Sequence, residues 1–122
     1  MWRDETYLLD MLLAARKVLQ FAAGYDLESF LADEKVQNAV MRQIQILGEA
    51  AWKISSELKE AHAEIPWPGI IGMRHRLVHD YFAILADKVW IVVETDIPAV
   101  IPLLEALVPP EEELSAERAP RS

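Results

Sequence analysis

One short stretch, Gly72 to Tyr81, concentrates the side chains of this sequence that could perform chemistry. It reads Gly-Met-Arg-His-Arg-Leu-Val-His-Asp-Tyr, and we call it the Arg–His stretch. Histidine can accept or donate a proton near neutral pH, because its unperturbed pKa is about 6.5. Arginine stays charged and offers a planar fork of donors to phosphate oxygens. Arg74 and His79 are therefore candidates for proton transfer and charge stabilisation at a phosphodiester.

The spacing of Arg74 and His79 decides how the two side chains could cooperate. If the stretch is helical, a separation of five residues makes them project about 140° apart. Leu77 and Val78 would then point inward and anchor the helix, with Arg74 and His79 on its two shoulders. A substrate would have to lie across the helix, or a second copy of the chain would have to complete the site.

Other interpretations of the same residues stay open. The arginines could be surface charges, His79 could donate to a backbone carbonyl inside the fold, and Tyr81 could be an interface aromatic. His75 and His79 also stand four residues apart, on one face of a helix, as two metal ligands would. Asp80 or His62 could supply a third ligand, although no spacing places either of them.

Length and composition indicate a single helical domain. A chain of 122 residues is long enough for one core and short for two. A hydrophobic content of 52% with only four glycines favours a helix-rich globular fold over a disordered chain. The absence of cysteine excludes disulfides and thiolate metal sites.

Charge and hydropathy bear on partners and location. The net charge of −8 argues against a broad basic footprint for nucleic acid. The Arg–His stretch is locally positive, since between Pro66 and Ala86 only Asp80 opposes Arg74 and Arg76. The first residues are acidic where a signal peptide would be basic, and no apolar run reaches the length of a membrane span. We therefore expect a cytoplasmic protein that meets an anion locally.

Apolar periodicity predicts two long helices in the first half of the chain. Residues 4–22 carry an apolar stripe at helical spacing, and Gly24 follows as a stop signal. A short helical turn is expected next. The stripe then resumes over residues 34–54, behind Asp33 as an N-cap. Small residues at 48, 50 and 51 would let another helix approach closely.

The second half is predicted to form two further helices. The third runs from Pro68 to Tyr81 and carries the Arg–His stretch. The fourth begins behind Asp87 as an N-cap and is kinked or interrupted at Pro98 and Pro102. With short helical turns between the main elements, the prediction is all-α, an antiparallel bundle of four to five helices.

The sequence also predicts the domain boundaries and the roles of Glu49, the tryptophans and Met73. Residues 1–108 are predicted to form the helical domain, and the acidic residues 109–122 a disordered tail. Glu49 is either a solvated flank of the second helix or a carboxylate that orients Arg74. The four tryptophans and Met73 are interpreted as core and helix contacts.

Five short motifs occur in a fixed order between roughly residues 4 and 107. They are Tyr7-Leu8, Gly48-Glu49-Ala50-Ala51, Glu64-Ile65-Pro66-Trp67, the stretch from Gly72 to Phe82, and Asp96-Ile97-Pro98. An arginine and a histidine at this spacing are common by chance, whereas the ordered set ending in His-x-Tyr is specific. The set resembles the HEPN superfamily, and within it the HepT-like toxins of bacterial and archaeal toxin–antitoxin pairs.

The resemblance implies an all-helical domain that dimerises so that two copies of the Arg–His stretch face each other. It implies a metal-independent endoribonuclease without a cofactor, in which Arg74 and His79 match the catalytic pair and His75 matches the polar position after the arginine. Tyr81 matches the tyrosine to which a nucleotidyltransferase antitoxin adds AMP. Arg76 departs from the pattern as a second positive charge, which either supports phosphate binding or serves the surface only.

The chemistry of RNA is compatible with these residue types. RNA carries its own nucleophile, the 2′-hydroxyl, so cleavage needs a base, an acid for the 5′-oxygen and cations on the phosphorane. One histidine cannot readily be both acid and base, whereas a two-fold site supplies two. The expected product is a 2′,3′-cyclic phosphate. A different class of function stays open, a non-catalytic module that binds a nucleotidyltransferase and helps present its substrate.

Overall fold

Two long helices form the centre of the protein in a computed structural model that describes residues 2–80 and 83–109. They are α1 (Trp2–Ala22) and α3 (Glu34–Lys53). The other elements are α2 (Leu27–Leu31), α4 (Ser56–Ala61), α5 (Trp67–His79), α6 (Ala86–Ile91), a π-helical segment (Val92–Asp96) and α7 (Ile97–Glu105). Every regular element in the described ranges is helical, which confirms the predicted all-α bundle.

The apolar stripe of α1 faces the core as its spacing predicts. Leu8, Leu12 and Ala15 are almost completely buried, and α1 packs against both α3 and α7. The chain then turns at Gly24, whose φ of +82° lies in the left-handed region. Glycine enters that region without the steric cost that a Cβ imposes, so the predicted stop signal is confirmed.

Asp33 joins the start of α3 to the preceding loop. Its Oδ1 accepts a hydrogen bond from the backbone N–H of Val36 at 3.1 Å, which confirms the predicted N-cap. Its Oδ2 accepts one from the hydroxyl of Tyr25 at 2.7 Å. One carboxylate therefore satisfies a free helix donor and also holds the loop that carries α2.

A buried carboxylate fixes the antiparallel pairing of α1 and α3. Asp4, in the first turn of α1, is only 7% exposed. It accepts hydrogen bonds from Ser55 just beyond α3, at 3.0 Å from the backbone N–H and 2.6 Å from the hydroxyl. The Ser55 hydroxyl in turn accepts from the N–H of Leu58 and caps α4. The start of α1, the end of α3 and the start of α4 thus meet at one polar junction.

The helix that carries the Arg–His stretch begins one residue earlier than predicted. Trp67 is its first residue, and Pro68 occupies the first turn, where a missing N–H costs nothing. Trp67 is buried, and its indole Nε1 donates to the carbonyl of His62 at 3.0 Å. The helix ends at His79, and the predicted end at Tyr81 lies outside the described residues.

The fourth predicted helix is interrupted as expected, at the π-helical segment. The N–H of Ile97 donates to the carbonyl of Val92, five residues back, so the backbone widens just before Pro98. A proline ring would otherwise press on the carbonyl four residues before it, and the wider turn relieves that contact. The segments α6, π and α7 follow one another directly, and Pro102 lies within α7.

The predicted N-cap of this last helix was wrong by two residues. Leu85 holds the cap position, and its carbonyl accepts from the N–H groups of Lys88 and Val89. Asp87 instead lies inside the first turn and accepts from the backbone N–H of Lys88 at 3.0 Å. A carboxylate in the first turn is favoured by the helix dipole as well as at the cap, so its type alone does not distinguish the two positions.

Two further expectations concern the chain ends and the membrane. Apart from Pro109, the tail predicted over residues 109–122 lies outside the described residues. Among the helices of residues 2–80 and 83–109, none combines the length and apolar character that crossing a membrane requires.

The ionised carboxylate of Asp33 is expected to contribute stability that is lost at acid pH. The hydrogen bond from Tyr25, followed by that from Val36, holds the pKa of Asp33 below its ordinary value. Such a carboxylate stabilises the fold fully above its unfolded pKa of about 3.9, and this contribution is lost as the pH falls through the folded pKa. Asp33→Asn keeps a capping oxygen but does not titrate. We therefore expect the stability advantage of wild type over Asp33→Asn to shrink on acidification, measured by urea unfolding followed by circular dichroism.

Tyr25→Phe provides the matched control, because it removes the largest cause of the lowered pKa and leaves the carboxylate in place. Its unfolding free energy should depend less on acid pH than that of wild type. A gap between wild type and Asp33→Asn that is constant with pH would contradict the proposed role of the carboxylate.

Candidate active site

The position of α5 is set by a close approach to α3 at Gly48. A Cβ built on Gly48 would collide with the Cβ of Arg74 and lie 3.0 Å from the carbonyl oxygen of Ile70. The close helix approach predicted for the small residues in the middle of α3 is therefore confirmed at Gly48. The same contact holds the base of the Arg74 side chain against α3.

The row of α5 residues that faces α3 includes Arg74 itself. Ile70, Arg74 and Leu77 follow at helical spacing, and Leu77 is 3% exposed. The prediction that Val78 also points inward was wrong, because this side chain is 41% exposed. One residue turns a helix by about 100°, which carries Val78 off the contact row. Arg74 thus lies in the helix contact rather than on a free shoulder.

The Arg74 guanidinium meets an aromatic ring at the edge of this contact. Its Cζ lies 5.3 Å from the centroid of the Trp52 ring, a cation–π arrangement. Its Nε is buried and has no hydrogen-bond acceptor among the described residues. Buried donors without an acceptor are rare in folded proteins, and each calls for an explanation such as a functional role. Arg74 is therefore the strongest candidate for anion binding on α5.

His75 and His79 lie together on the exposed side of α5. Their ring centroids are 4.4 Å apart and the ring planes are inclined by 45°. Both side chains are exposed, so His79 is not a packed histidine of the core. The structure thus brings His79 to His75, one turn away, while Arg74 projects toward Trp52.

Of the other two residues proposed for the site, Arg76 is described by the structure and Tyr81 is not. Arg76 is exposed in the last turn of α5, where a cation also interacts favourably with the helix dipole. Its role as a phosphate contact stays a prediction. Tyr81 lies outside the described residues, so its position relative to His79 is not part of the described geometry.

The described contacts support neither Glu49 as a carboxylate that orients Arg74 nor a metal site at His75 and His79. Glu49 accepts a hydrogen bond from Nε2 of Gln45 at 3.4 Å, and no described hydrogen bond joins it to Arg74. In the described part of the chain no three potential metal ligands come together around His75 and His79. His62 pairs instead with Glu64, with 3.3 Å between Nδ1 and Oε2.

Trp52 was also assigned wrongly from the sequence. Trp67 and Trp90 are buried as predicted, but Trp52 is 58% exposed. A signal was available, since Ala51 and Ile54 belong to the buried stripe of α3 and Trp52 falls about 100° away from Ala51. An aromatic residue off the apolar stripe is a candidate for contact with a ligand or partner.

An apolar cavity in the described fold lies apart from these groups. It has a volume of about 180 Å³ and is lined mainly by apolar side chains of α3, α5, the π segment and α7, with Met73 among them. Arg74, His75 and His79 are not part of its lining. The candidate site therefore lies outside this cavity, on the surface of α5 and the end of α3.

Residues 11–107 match the family described as ribonuclease HepT-like. The chain belongs to this HepT-like family of the HEPN superfamily. The matched range contains the whole Arg–His stretch, including Arg74, His79 and Tyr81. The resemblance seen in the ordered motifs is thereby confirmed at the level of the family.

Individual HepT-like relatives cover most of the domain. A protein of Thermococcus cleftensis named "Probable ribonuclease HepT" is 39% identical over 93 residues, which are 76% of this chain and 84% of the relative. A protein of Methanocaldococcus jannaschii with a provisional RNase name is 31% identical over 79% of this chain and 88% of its own length. Another, from Caldanaerobacter subterraneus, is 32% identical over 75% and 82%. No solved structure matches the chain.

The tight contact at Gly48 predicts opposite effects for two glycine substitutions. We expect Gly48→Ala to lower the free energy of unfolding by about 1–3 kcal/mol, because the new Cβ overpacks the α3–α5 contact. Gly72→Ala is the matched control on α5, since a Cβ there meets nothing within 4 Å. It should raise stability by up to about 1 kcal/mol through better helix propensity. Urea unfolding of both variants tests this, and equal stabilisation by both would contradict a tight contact.

Proposed function

We propose that this HepT-like protein is a metal-independent endoribonuclease, the toxin of a toxin–antitoxin pair that acts in the cytoplasm. The observation that carries the proposal is the family match across residues 11–107, which contains the complete Arg–His stretch. The RNase names of the relatives are consistent with it. The exposed histidines on α5 and the partly buried Arg74 beside them supply the residue types that RNA cleavage needs.

The proposed reaction is an internal transfer at the phosphodiester. A neutral histidine removes the proton of the 2′-hydroxyl, whose oxygen attacks the adjacent phosphorus. A protonated histidine gives its proton to the departing 5′-oxygen, and the bond between phosphorus and that oxygen breaks. Arg74 stabilises the additional negative charge on the phosphorane through its fixed fork of donors. The products are a 2′,3′-cyclic phosphate and a 5′-hydroxyl, and no metal ion takes part.

A second copy of the chain would complete this site. His79 cannot serve as base and acid for the same bond at the same moment, and Arg74 projects from α5 in a different direction from the His75–His79 pair. A homodimer in which two α5 helices face each other would place two arginines and two histidines around one phosphate. His75 and Arg76 would add polar and positive groups at the rim of that arrangement.

Chelation and one histidine substitution test the proposed ribonuclease. In excess EDTA, wild type should cleave total cellular RNA at an unchanged rate and leave 2′,3′-cyclic phosphate ends, detected by mass spectrometry. His79→Ala should lose about 10²-fold or more of the activity, because it removes the proton-transfer group. His62→Ala is the matched control, since His62 lies outside the Arg–His stretch and pairs with Glu64. It should cleave like wild type.

Several outcomes would overturn parts of this function. If wild type and His79→Ala both fail to cut although they are folded and dimeric, the non-catalytic nucleotidyltransferase-binding module becomes the better description. Loss of activity in EDTA that Zn²⁺ or Mg²⁺ restores would contradict metal independence. A wild type that sediments as a monomer and still cleaves RNA would contradict the two-copy site.

Regulation is proposed to act at Tyr81 through a cognate nucleotidyltransferase antitoxin. The Tyr81 hydroxyl oxygen would attack the α-phosphorus of ATP, pyrophosphate would leave, and the phenol proton would pass to solvent. The attached AMP adds negative charge and bulk two residues after His79. It would therefore repel an RNA phosphate and block access to the histidine.

Intact-mass measurement tests the modification. After incubation with the antitoxin and ATP, wild type should gain the mass of one or more AMP units and lose RNase activity, whereas Tyr81→Phe should gain none. Tyr7→Phe is the control, because Tyr7 lies in α1 outside the Arg–His stretch and should leave the modification intact. AMP found on another residue, or full activity of the modified protein, would contradict the proposal.

A further inference from the structure

Trp52 presents an aromatic surface beside the candidate site that the fold itself does not explain. It is 58% exposed, whereas Ala51 on α3 and Ile54 just after the helix are buried. An indole left in water forgoes the burial that normally stabilises a tryptophan in the core. Since Trp67 and Trp90 do fill the core, the exposure of Trp52 is specific to its position near the end of α3.

Two cationic side chains contact Trp52, one at its ring and the other at its backbone. The Arg74 guanidinium lies over it, with Cζ 5.3 Å from the ring centroid. The Nζ of Lys59, on α4, lies 3.4 Å from the carbonyl oxygen of Trp52. Residues of three helices, α3, α4 and α5, therefore meet at Trp52, with one positive charge over its ring and a second at its carbonyl oxygen. We call Trp52, Lys59 and Arg74 the tryptophan patch.

The charges of the tryptophan patch are not neutralised within the described chain. The net charge of the protein is −8, and acidic residues occur nearby, with Glu49 one turn before Trp52 and Glu57 and Glu60 on α4. Glu49 accepts from Gln45, however, and neither Arg74 nor Lys59 forms an ion pair among the described residues. The cation over the exposed ring and the one at the Trp52 backbone thus have no ion-pair partner among the described residues, although the protein as a whole is acidic.

We propose that Trp52 is a stacking platform for one unpaired base of the RNA substrate, next to the phosphate that Arg74 binds. The inference rests on the proposed ribonuclease function and narrows its substrate to single-stranded RNA. Proteins that bind single strands combine aromatic rings, on which bases stack, with cations that follow the phosphates. The bases of a duplex are stacked on one another and closed to such a ring, so a paired segment cannot use it.

The arrangement also explains how the Trp52 ring could contact Arg74 and an RNA base at the same time. Arg74 lies over the indole on one side, and the exposed area of the side chain remains for a planar group from outside. A base that stacks there would bring its own phosphate close to the guanidinium. Trp52 would therefore select for an unstacked nucleotide and set its distance from the reacting bond, while Lys59 would contact a neighbouring phosphate.

Equilibrium binding to RNA with and without bases tests the stacking role independently of cleavage. The protein is full-length His79→Ala, which should bind without cutting, alone and combined with Trp52→Leu or Trp52→Phe. The probes are a fluorescein-labelled oligouridylate of about eight nucleotides and an abasic oligoribose phosphate of the same length. Fluorescence anisotropy gives Kd for each pair, and Leu31→Ala serves as the matched control because it removes another exposed apolar side chain far along the sequence.

We expect Trp52→Leu to weaken binding of the oligouridylate roughly tenfold, in line with the loss of one stacked base. Binding of the abasic probe should be the same with Trp52 or with the substitution, since that probe has no base to stack. Trp52→Phe, which keeps an aromatic ring, should retain most of the affinity. Leu31→Ala should bind both probes as His79→Ala alone does.

Other results would overturn the inference. Equal weakening on both probes would mean that Trp52 only positions Arg74, and no weakening on either would remove it from the binding surface. If Trp52→Leu turns a dimer into a monomer in sedimentation velocity, Trp52 belongs to a contact between copies of the chain. Cleavage of RNA by wild type, measured separately, distinguishes the two proposals. A protein that cuts nothing but shows the base dependence would overturn the ribonuclease and support the stacking role.

Discussion

The contact between α3 and α5 at Gly48 is the constraint on which the candidate site depends. No side chain fits between the two helices there, because the Cβ of Arg74 and the backbone of Ile70 already occupy the space. Arg74, which packs tightly against Gly48 of α3, is thus also a charged residue. Its stem belongs to the helix contact and its guanidinium emerges at the edge, against Trp52. The same helix contact therefore packs the stem of Arg74 and fixes the direction of its guanidinium.

On α5, this arrangement separates the charged group, Arg74, from the two proton-transfer candidates, His75 and His79. The positive charge of Arg74 lies with an aromatic ring on the α3 side, while the exposed rings of His75 and His79 contact each other in a tilted arrangement. An RNA strand has bases, phosphates and hydroxyls repeating along its length, and a second copy of the chain could bring the histidines to the same phosphate. The separation is therefore compatible with a polymeric substrate and a composite site.

The rest of the bundle supports α5 through a few polar junctions and one irregular helix. Asp4 ties α1 to the end of α3 through Ser55, next to the start of α4, and Asp33 holds the other end of α3 to the α2 loop. The π segment before Pro98 keeps the last helix continuous where an α-helical turn would clash. Since Ile70 and Met73 of α5 border the same cavity as the π segment and α7, that irregular turn lies next to the rear of the site helix.

Local patterns in the sequence were sufficient for the elements of this fold. The stripes of α1 and α3, the caps at Gly24 and Asp33, the small residues at the α3–α5 contact and the interruption near Pro98 all depend on residues close together in the chain. The ordered motifs likewise indicated the HepT-like family before any contact was known. The cap at Asp87 was misplaced because an acidic residue is favourable at several positions of a first turn.

Tertiary structure alone decided the directions and neighbours of individual side chains. Periodicity defines which residues share a face, but which face meets another helix depends on partners far away in sequence. That is why Val78 was expected inside and lies outside, and why Trp52 was expected in the core and lies beside Arg74. The pairing of His75 with His79 followed from their spacing of one turn. The placing of Arg74 against Gly48 and Trp52 required the packing of α5 on α3, because these residues meet only when the chain is folded.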